Sequence, residues 1–266
     1  MNASSFSVII CSVDPWKFAT CARHYENLLA GRAHEIIGIH DAKSLAAGYN
    51  CGLARSRGDI VIFSHDDVLM LDERFAEKIT ARLADYDLLG YAGTSHLIEG
   101  SWVAAGQPLI HGAVAHVTDK HLHLMVYGVD AWPMADGIQA IDGLLMIARR
   151  EVALAVGFDA ATFDGFHLYD LDFSFAAFLA GHKIGVCCDM PLIHASGGDY
   201  TADWWHYAQR FRKKYAGRLM TGPAVEIPQG KSSGTCGDYQ ALTAIWNRDS
   251  LRRATISAKR RHNAGT

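Results

Sequence analysis

Three groups of side chains have types and spacings suited to chemistry. FSHDD, residues 63–67, ends an apolar run in His65, Asp66 and Asp67. YDLD places Asp170 and Asp172 where an apolar helical pattern begins, and LIHASGG puts His194 just past another apolar run. Adjacent carboxylates repel, and holding them in a partly buried crevice costs free energy unless a cation or hydrogen-bond donors offset it. A cation in the crevice is one reading of FSHDD; a solvated turn after a strand, where Asp is common, is the other. The His121/His123 pair is a weaker signal, because neither HExxH nor paired CxxC accompanies it to build a zinc site.

The elements around FSHDD decide between the two readings. FSVIIC (6–11) is a short β-branched strand, and Asp14-Pro15 supplies an N-cap and a first-turn proline for a helix to about Leu29, stopped at Gly31. EIIGI (35–39) is the next strand, Ser44 caps a helix through Leu53 that ends by Gly58, and GDIVIF is the third strand. Strands apolar on both faces, alternating with helices, predict a parallel sheet of right-handed βαβ units. His65, Asp66 and Asp67 then leave a strand at its carboxyl end, where ligands of open α/β sheets bind. This favours the crevice over the turn.

Further on, Asp72 is expected to cap a third helix carrying Phe75, Ile79 and Leu83, and LLGYAGT reads as a fourth strand. Residues 96–136 lose periodicity among Gly, His and aromatics, as long binding loops do. IDGLLMIARREVALAVGFD reads as a strand and a short helix stopped by Gly157. YDLDFSFAAFLAG reads as a helix with Phe175, Phe178 and Leu179 inward and Gly181 as its stop, followed by the strand KIGVCC. Beyond Tyr215, AGRLMTGPAVEIPQGKSSG reads as a linker or wrap leading to a short terminal helix.

The 266 residues are half apolar, enough for one large α/β domain or two small ones. A net charge of -3 argues against a general nucleic-acid binder, although Arg252, Arg253, Lys259, Arg260 and Arg261 make the end basic. Six cysteines without a CxxC pair, an N-terminus without a basic leader and no apolar segment of membrane-spanning length make the cytoplasm the expected location. The first βα turn reads CSVDPW, so the GxGxxG of a dinucleotide fold is absent, as is the P-loop motif.

SFSVIICSVD, EIIGIHD, VIFSHDDVLML, DGLLMIARREVALAVGFDAATF, YDLDFSFAAFLAGHKIG and LIHASGG, in this order over residues 5 to 215, resemble family 2 glycosyltransferases of the GT-A fold. The H-D-D-V and Y-D-L-D forms are nearest to the glycosyltransferase-like domain named after streptomycin biosynthesis. The resemblance implies an α/β GT-A fold with a mostly parallel central sheet, a Rossmann-like nucleotide-binding first half and helices on both faces. It implies a domain over 1–215, with 216–266 as linker and C-terminal extension with a basic tail. The implied activity is metal-dependent, inverting transfer from a nucleotide-sugar donor to a hydroxyl on a glycan, lipid-linked or small-molecule acceptor, with no nucleic acid involved.

In such a reaction a nucleoside diphosphate leaves with growing negative charge, which a divalent cation stabilises. By resemblance Asp67 matches the last acid of a DxD pair and is the first metal ligand, with His194 as the second; a histidine favours Mn²⁺ over Mg²⁺. Asp170, matching the second acid of an ED-type motif, is the expected base, and Asp172 is expected to be structural, at the helix start. Cys11, Asp41, Asn50, His65, Asp66 and Asp142 fall where the family binds the nucleotide sugar. His65 departs from the pattern, standing at the usual first aspartate, and Asp66 is placed to compensate at the ribose or a metal-bound water. Trp102, Trp132, Trp204 and Trp205 are candidates for stacking on sugars or for the core. WWHYAQRFRKKYAG forms an amphipathic helix suited to the domain, a membrane surface such as the inner face, or another subunit, with docking on the domain expected. Two other functions fit the same acids: a silent domain that binds a nucleotide sugar or a partner, and a metal-dependent phosphoesterase.

Overall fold

A computed structural model describes residues 4–118, 121–127, 131–190, 192–196, 200–220 and 231–236. The first half runs β1 (Phe6–Cys11), α1 (Pro15–Leu28), β2 (His34–Ile39), α2 (Leu45–Arg55), β3 (Ile60–Ser64), β4 (Val68–Met70), α3 (Phe75–Arg82), β5 (Leu88–Gly90), β6 (Ala92–Thr94), β7 (Ile110–Thr118) and β8 (His121–Tyr127). The second half adds β9 (Met134–Ala135), β10 (Ala140–Ile141), β11 (Leu145–Arg149), α4 (Arg150–Val156), α5 (Tyr169–Leu179), β12 (Ile184–Cys187), β13 (Leu192–His194), α6 (Ala202–Lys214) and β14 (Lys231–Cys236).

The helix ends follow from local chemistry. Asp14 accepts from the N–H groups of Trp16 and Lys17 at 2.8 and 3.1 Å, with Pro15 in the first turn, and Gly31 takes φ +78° past the end of α1. Ser44 accepts from Ala47 N–H at 3.1 Å and starts α2.

The seven-stranded sheet has the order β2-β1-β3-β11-β5-β12-β9. β1 is parallel to β2 and β3, and β12 to β5, so the α/β class expected from the sequence is the one found, but β11 and β9 run against their neighbours and make the sheet mixed rather than mostly parallel. Its strands are apolar on both faces because both are covered. Ile9, Val61 and Phe63 pack with Tyr49, Leu53 and Phe173 of α2 and α5, whereas Val8, Ile10 and Ile62 pack with Tyr25, Phe75 and Ile79 of α1 and α3.

A second sheet, β10-β6-β7-β13-β4 with β8 and β14 beyond β7, was not legible in the sequence. LLGYAGT is two strands rather than one: β5 ends in the first sheet, the chain breaks at Tyr91, and β6 pairs with β7 in the second. Within 96–136, β7 and β8 pair antiparallel from Gly112↔Tyr127 to Thr118↔His121. Asp72 sits ahead of α3, accepting from Arg74 N–H at 2.9 Å and pairing with Lys78, and Arg74 rather than Asp72 is the cap residue. Leu179, expected to face inward, is exposed. α6 docks on the domain through Ala208 and Phe211, and β14 adds a strand where a linker was expected. The terminal helix and basic tail lie outside the described residues, among which no helix is long and apolar enough to cross a membrane.

Candidate metal and active site

The exits of the parallel strands β1, β2 and β3 lie at one edge of the first sheet, and His65, Asp66 and Asp67 leave β3 there. His65 N–H donates to Leu144 C=O at 3.1 Å, which fixes it beside the start of β11. Antiparallel pairing of β4 with β13 sets Val68 opposite His194, and Ala195 N–H donates to Asp67 C=O at 3.0 Å. Two segments remote in sequence thereby converge. His194 Nε2 lies 3.2 Å from His65 Nδ1, 3.3 Å from Asp67 Oδ1 and 3.1 Å from Ser196 Oγ. One ligand atom from each of His65, Asp67 and His194 falls within 4.8 Å of the others. Asp67 Oδ1 is buried and, among the described residues, has no hydrogen-bond partner although His194 is within ion-pairing distance. Burial pushes the Asp67 carboxyl up, but His194, Ser196 and His65 outweigh it and hold it below its usual range. Burial and the facing His194 lower His65, favouring a neutral ring with a lone pair to offer.

Asp170 reaches the same place from α5. Leu168 precedes that helix with φ +61°, a left-handed backbone that a leucine adopts only under tertiary constraint, and the turn aims Tyr169 and Asp170 at the first sheet. Asp170 Oδ2 accepts from Gly143 N–H at 2.7 Å. Burial, and then the Asp142 charge, push its carboxyl up to about 7. Asp142 accepts from Trp102 Nε1–H at 2.8 Å and Leu144 N–H at 3.0 Å. His65, Asp142, Asp170 and His194 all line one cavity of about 470 Å³, walled in part by Trp102, Phe166, Tyr200 and Trp204.

The remaining expected residues are arranged differently. Cys11 closes β1, its thiol pushed up to about 12, first by burial and then by Cys51 and Asp66. Asp66 accepts from Ser12 Oγ–H at 2.6 Å, and Asp41 is exposed just past β2. Asn50 is engaged within the protein: its amide donates to Phe158 C=O at 2.7 Å and accepts from Phe158 N–H at 3.0 Å, which clamps α2 to the segment after α4. Asp172 is buried against Lys214 Nζ at 2.6 Å and Tyr215 Oη at 2.7 Å, a structural role as expected. Trp204 reaches the cavity, Trp132 packs against the core and Trp205 is exposed. Sequence reasoning missed His116, paired with His194 in register and lining the cavity, and Tyr169, whose Oη lies 2.8 Å from His65 Nε2. Only the tyrosine beside Asp170 in YDLD hinted at the latter.

Comparison with known proteins bears on this arrangement. A protein of Fuscovulum blasticum described as "ATP synthase subunits region ORF 6" is 27% identical over 177 residues, 63% of this chain and 66%, just under two thirds, of its own length. Two solved structures overlay the chain at 12% identity. GalNAc-T7 with UDP, GalNAc and Mn²⁺ covers 80% of this chain and 48% of its own, with a TM-score of 0.47. The mannosyltransferase PcManGT from Pyrobaculum calidifontis, in complex with GDP-Man and Mn²⁺, covers 98% and 76%, with a TM-score of 0.49. A family model described as "Glycosyltransferase like family" matches residues 7–215, which include the three metal-type ligands, Asp142 and Asp170. The chain belongs to this glycosyltransferase-like family.

Proposed function

We propose that the chain is a metal-dependent GT-A glycosyltransferase that moves a sugar from a nucleotide-sugar donor to a hydroxyl with inversion. Within its family we place it with the streptomycin-biosynthesis-type domains, on its H-D-D-V and Y-D-L-D forms. The observation that carries the reading is the convergence of His65, Asp67 and His194 at a strand exit, where His65 and His194 line a cavity that also holds Asp170. The residues fit a cation: an orphaned buried carboxylate oxygen and two imidazole nitrogens make a mixed N/O set, which suits Mn²⁺ better than the all-oxygen preference of Mg²⁺. Bound there, the cation would supply positive charge to the departing diphosphate.

The chain's own residues account for the other requirements. Asp170 Oδ2 is anchored on the Gly143 N–H, which holds the carboxylate in place to accept the proton of the acceptor hydroxyl. A single positioned base supports direct displacement at the anomeric carbon, which inverts it. Trp102, Phe166, Tyr200 and Trp204 offer aromatic faces to pyranose rings and exclude water. Cys11, Asp41 and Asp66 at the strand exits are assigned to the nucleotide.

Calorimetric titration with UDP and GDP, with Mn²⁺ or with a chelator, followed by a transfer assay, tests the reading. Mn²⁺ should be required for tight binding, and Asp67→Ala or His194→Ala should weaken that binding with the fold intact. Equal affinity in chelator removes the metal from the proposal. Tight, metal-dependent binding without turnover of any sugar donor or acceptor points to the silent domain instead.

A further inference from the structure

His65 of the H-D-D-V motif and Tyr169 of the Y-D-L-D motif are separated by 104 positions and meet at 2.8 Å, Nε2 to Oη. Tyr169 is buried among Tyr49 and Phe158, so its hydroxyl has few alternatives. Its other neighbour is Gly143 C=O at 3.5 Å. Gly143 C=O can only accept, so a Tyr169 O–H that donates to it leaves the Tyr169 oxygen to accept from His65 Nε2–H; the reverse arrangement, O–H donating to Nε2, is the one the experiment below must exclude. In the first arrangement the proton is absent from His65 Nδ1, the nitrogen that faces His194 Nε2 and Asp67.

Gly143 is shared through its two flanking peptide groups. Its C=O ends this chain while its N–H holds Asp170 Oδ2 at 2.7 Å. A Cβ at this position would lie 2.3 Å from Tyr169 Oη and 2.7 Å from Asp170 Cβ, so only glycine admits both contacts.

We propose that Tyr169 is a positioning residue that fixes the tautomer of His65, with the Gly143 carbonyl as its reference point, and keeps Nδ1 bare for a cation. What Tyr169 decides is which imidazole nitrogen carries the proton of the neutral ring. The proposal rests on the metal reading above for its purpose, and not for its geometry. Hydrogen-bond partners outside the ligand set typically contribute about 10- to 100-fold to metal affinity.

Nitrogen-15 NMR of the histidine rings in the metal-free protein, together with Mn²⁺ titration followed by electron paramagnetic resonance, tests it on the wild type and on Tyr169→Phe, which keeps the buried ring. The wild type should show His65 protonated at Nε2. Tyr169→Phe should populate the Nδ1–H form and bind Mn²⁺ about 10- to 100-fold more weakly. A wild-type His65 protonated at Nδ1, or a Phe variant that keeps both tautomer and Mn²⁺ affinity, overturns the proposal. If the tautomer shifts but neither protein binds Mn²⁺, the positioning stands and the metal reading falls. If the Phe variant does not fold, the wild-type tautomer alone decides.

Discussion

Asp170 keeps its proton to about pH 7 because burial and then the charge of Asp142 disfavour the carboxylate. As a base it must be ionised, so transfer should rise with pH through about 7, whereas an ordinary carboxylate would already be ionised. Asp170→Asn should lower transfer by about 10²- to 10⁴-fold and leave Mn²⁺ and nucleotide affinity close to wild type; normal transfer would assign the base elsewhere. The same group marks stability. Unfolded, its proton leaves near 3.8, so between about pH 4 and 7 the folded state holds the extra proton and stability falls as pH rises, levelling above that window. The difference in melting temperature between the metal-free wild type and Asp170→Asn isolates this group from the histidines and carboxylates that titrate beside it, and should fall as pH rises across this range. At this scale the sequence exposes Asp67, Asp170 and His194 because each stands at the boundary of a local pattern. Tyr169 is silent there, since its partner is 104 positions away. Asn50 shows the same limit: the Phe158 backbone that takes both ends of its amide lies 108 positions away.

Helices were easier to find than strands. Caps and stops such as Asp14, Ser44, Gly157 and Gly181 are local chemistry, and the elements they bound match within a residue or two. β7 and β8 escaped because histidines and glycines interrupt their apolar pattern, and their stability comes from cross-strand pairing that a single segment does not display. α5 and α6 illustrate what such contacts contribute. Asp172 on α5 is buried against Lys214 and Tyr215 at the end of α6, where Lys214 also holds Asp159 at 2.8 Å. Asp172→Asn keeps the shape but weakens this charge-assisted joint, and should cost about 1 to 3 kcal/mol by chemical denaturation. Donor affinity and the pH profile of transfer should not change; a large loss of affinity would draw Asp172 into the site.

Over the whole molecule, the second sheet is what joins the ligands. His65 and Asp67 come from the exit of β3, and His194 from the end of β13, 129 positions later. An ion that binds only this assembled arrangement stabilises the fold by about 2.7 kcal/mol at a hundredfold excess over its dissociation constant. At about 2 to 4 °C per kcal/mol for a domain of this size, Mn²⁺ should raise the melting temperature by about 5 to 10 °C and a chelator should reverse it; an unchanged transition would deny the site an ion. The position of β13 also sets an order in time. It lies between β7 and β4, both made earlier in the chain. A nascent polypeptide therefore displays His65 and Asp67 long before the residue that completes their set, and the strand carrying that residue must slot between two partners already synthesised. The three-residue set proposed for a metal would thus be complete only after the ribosome has passed His194, and any ion held sooner would be held by two side chains on a half-built edge.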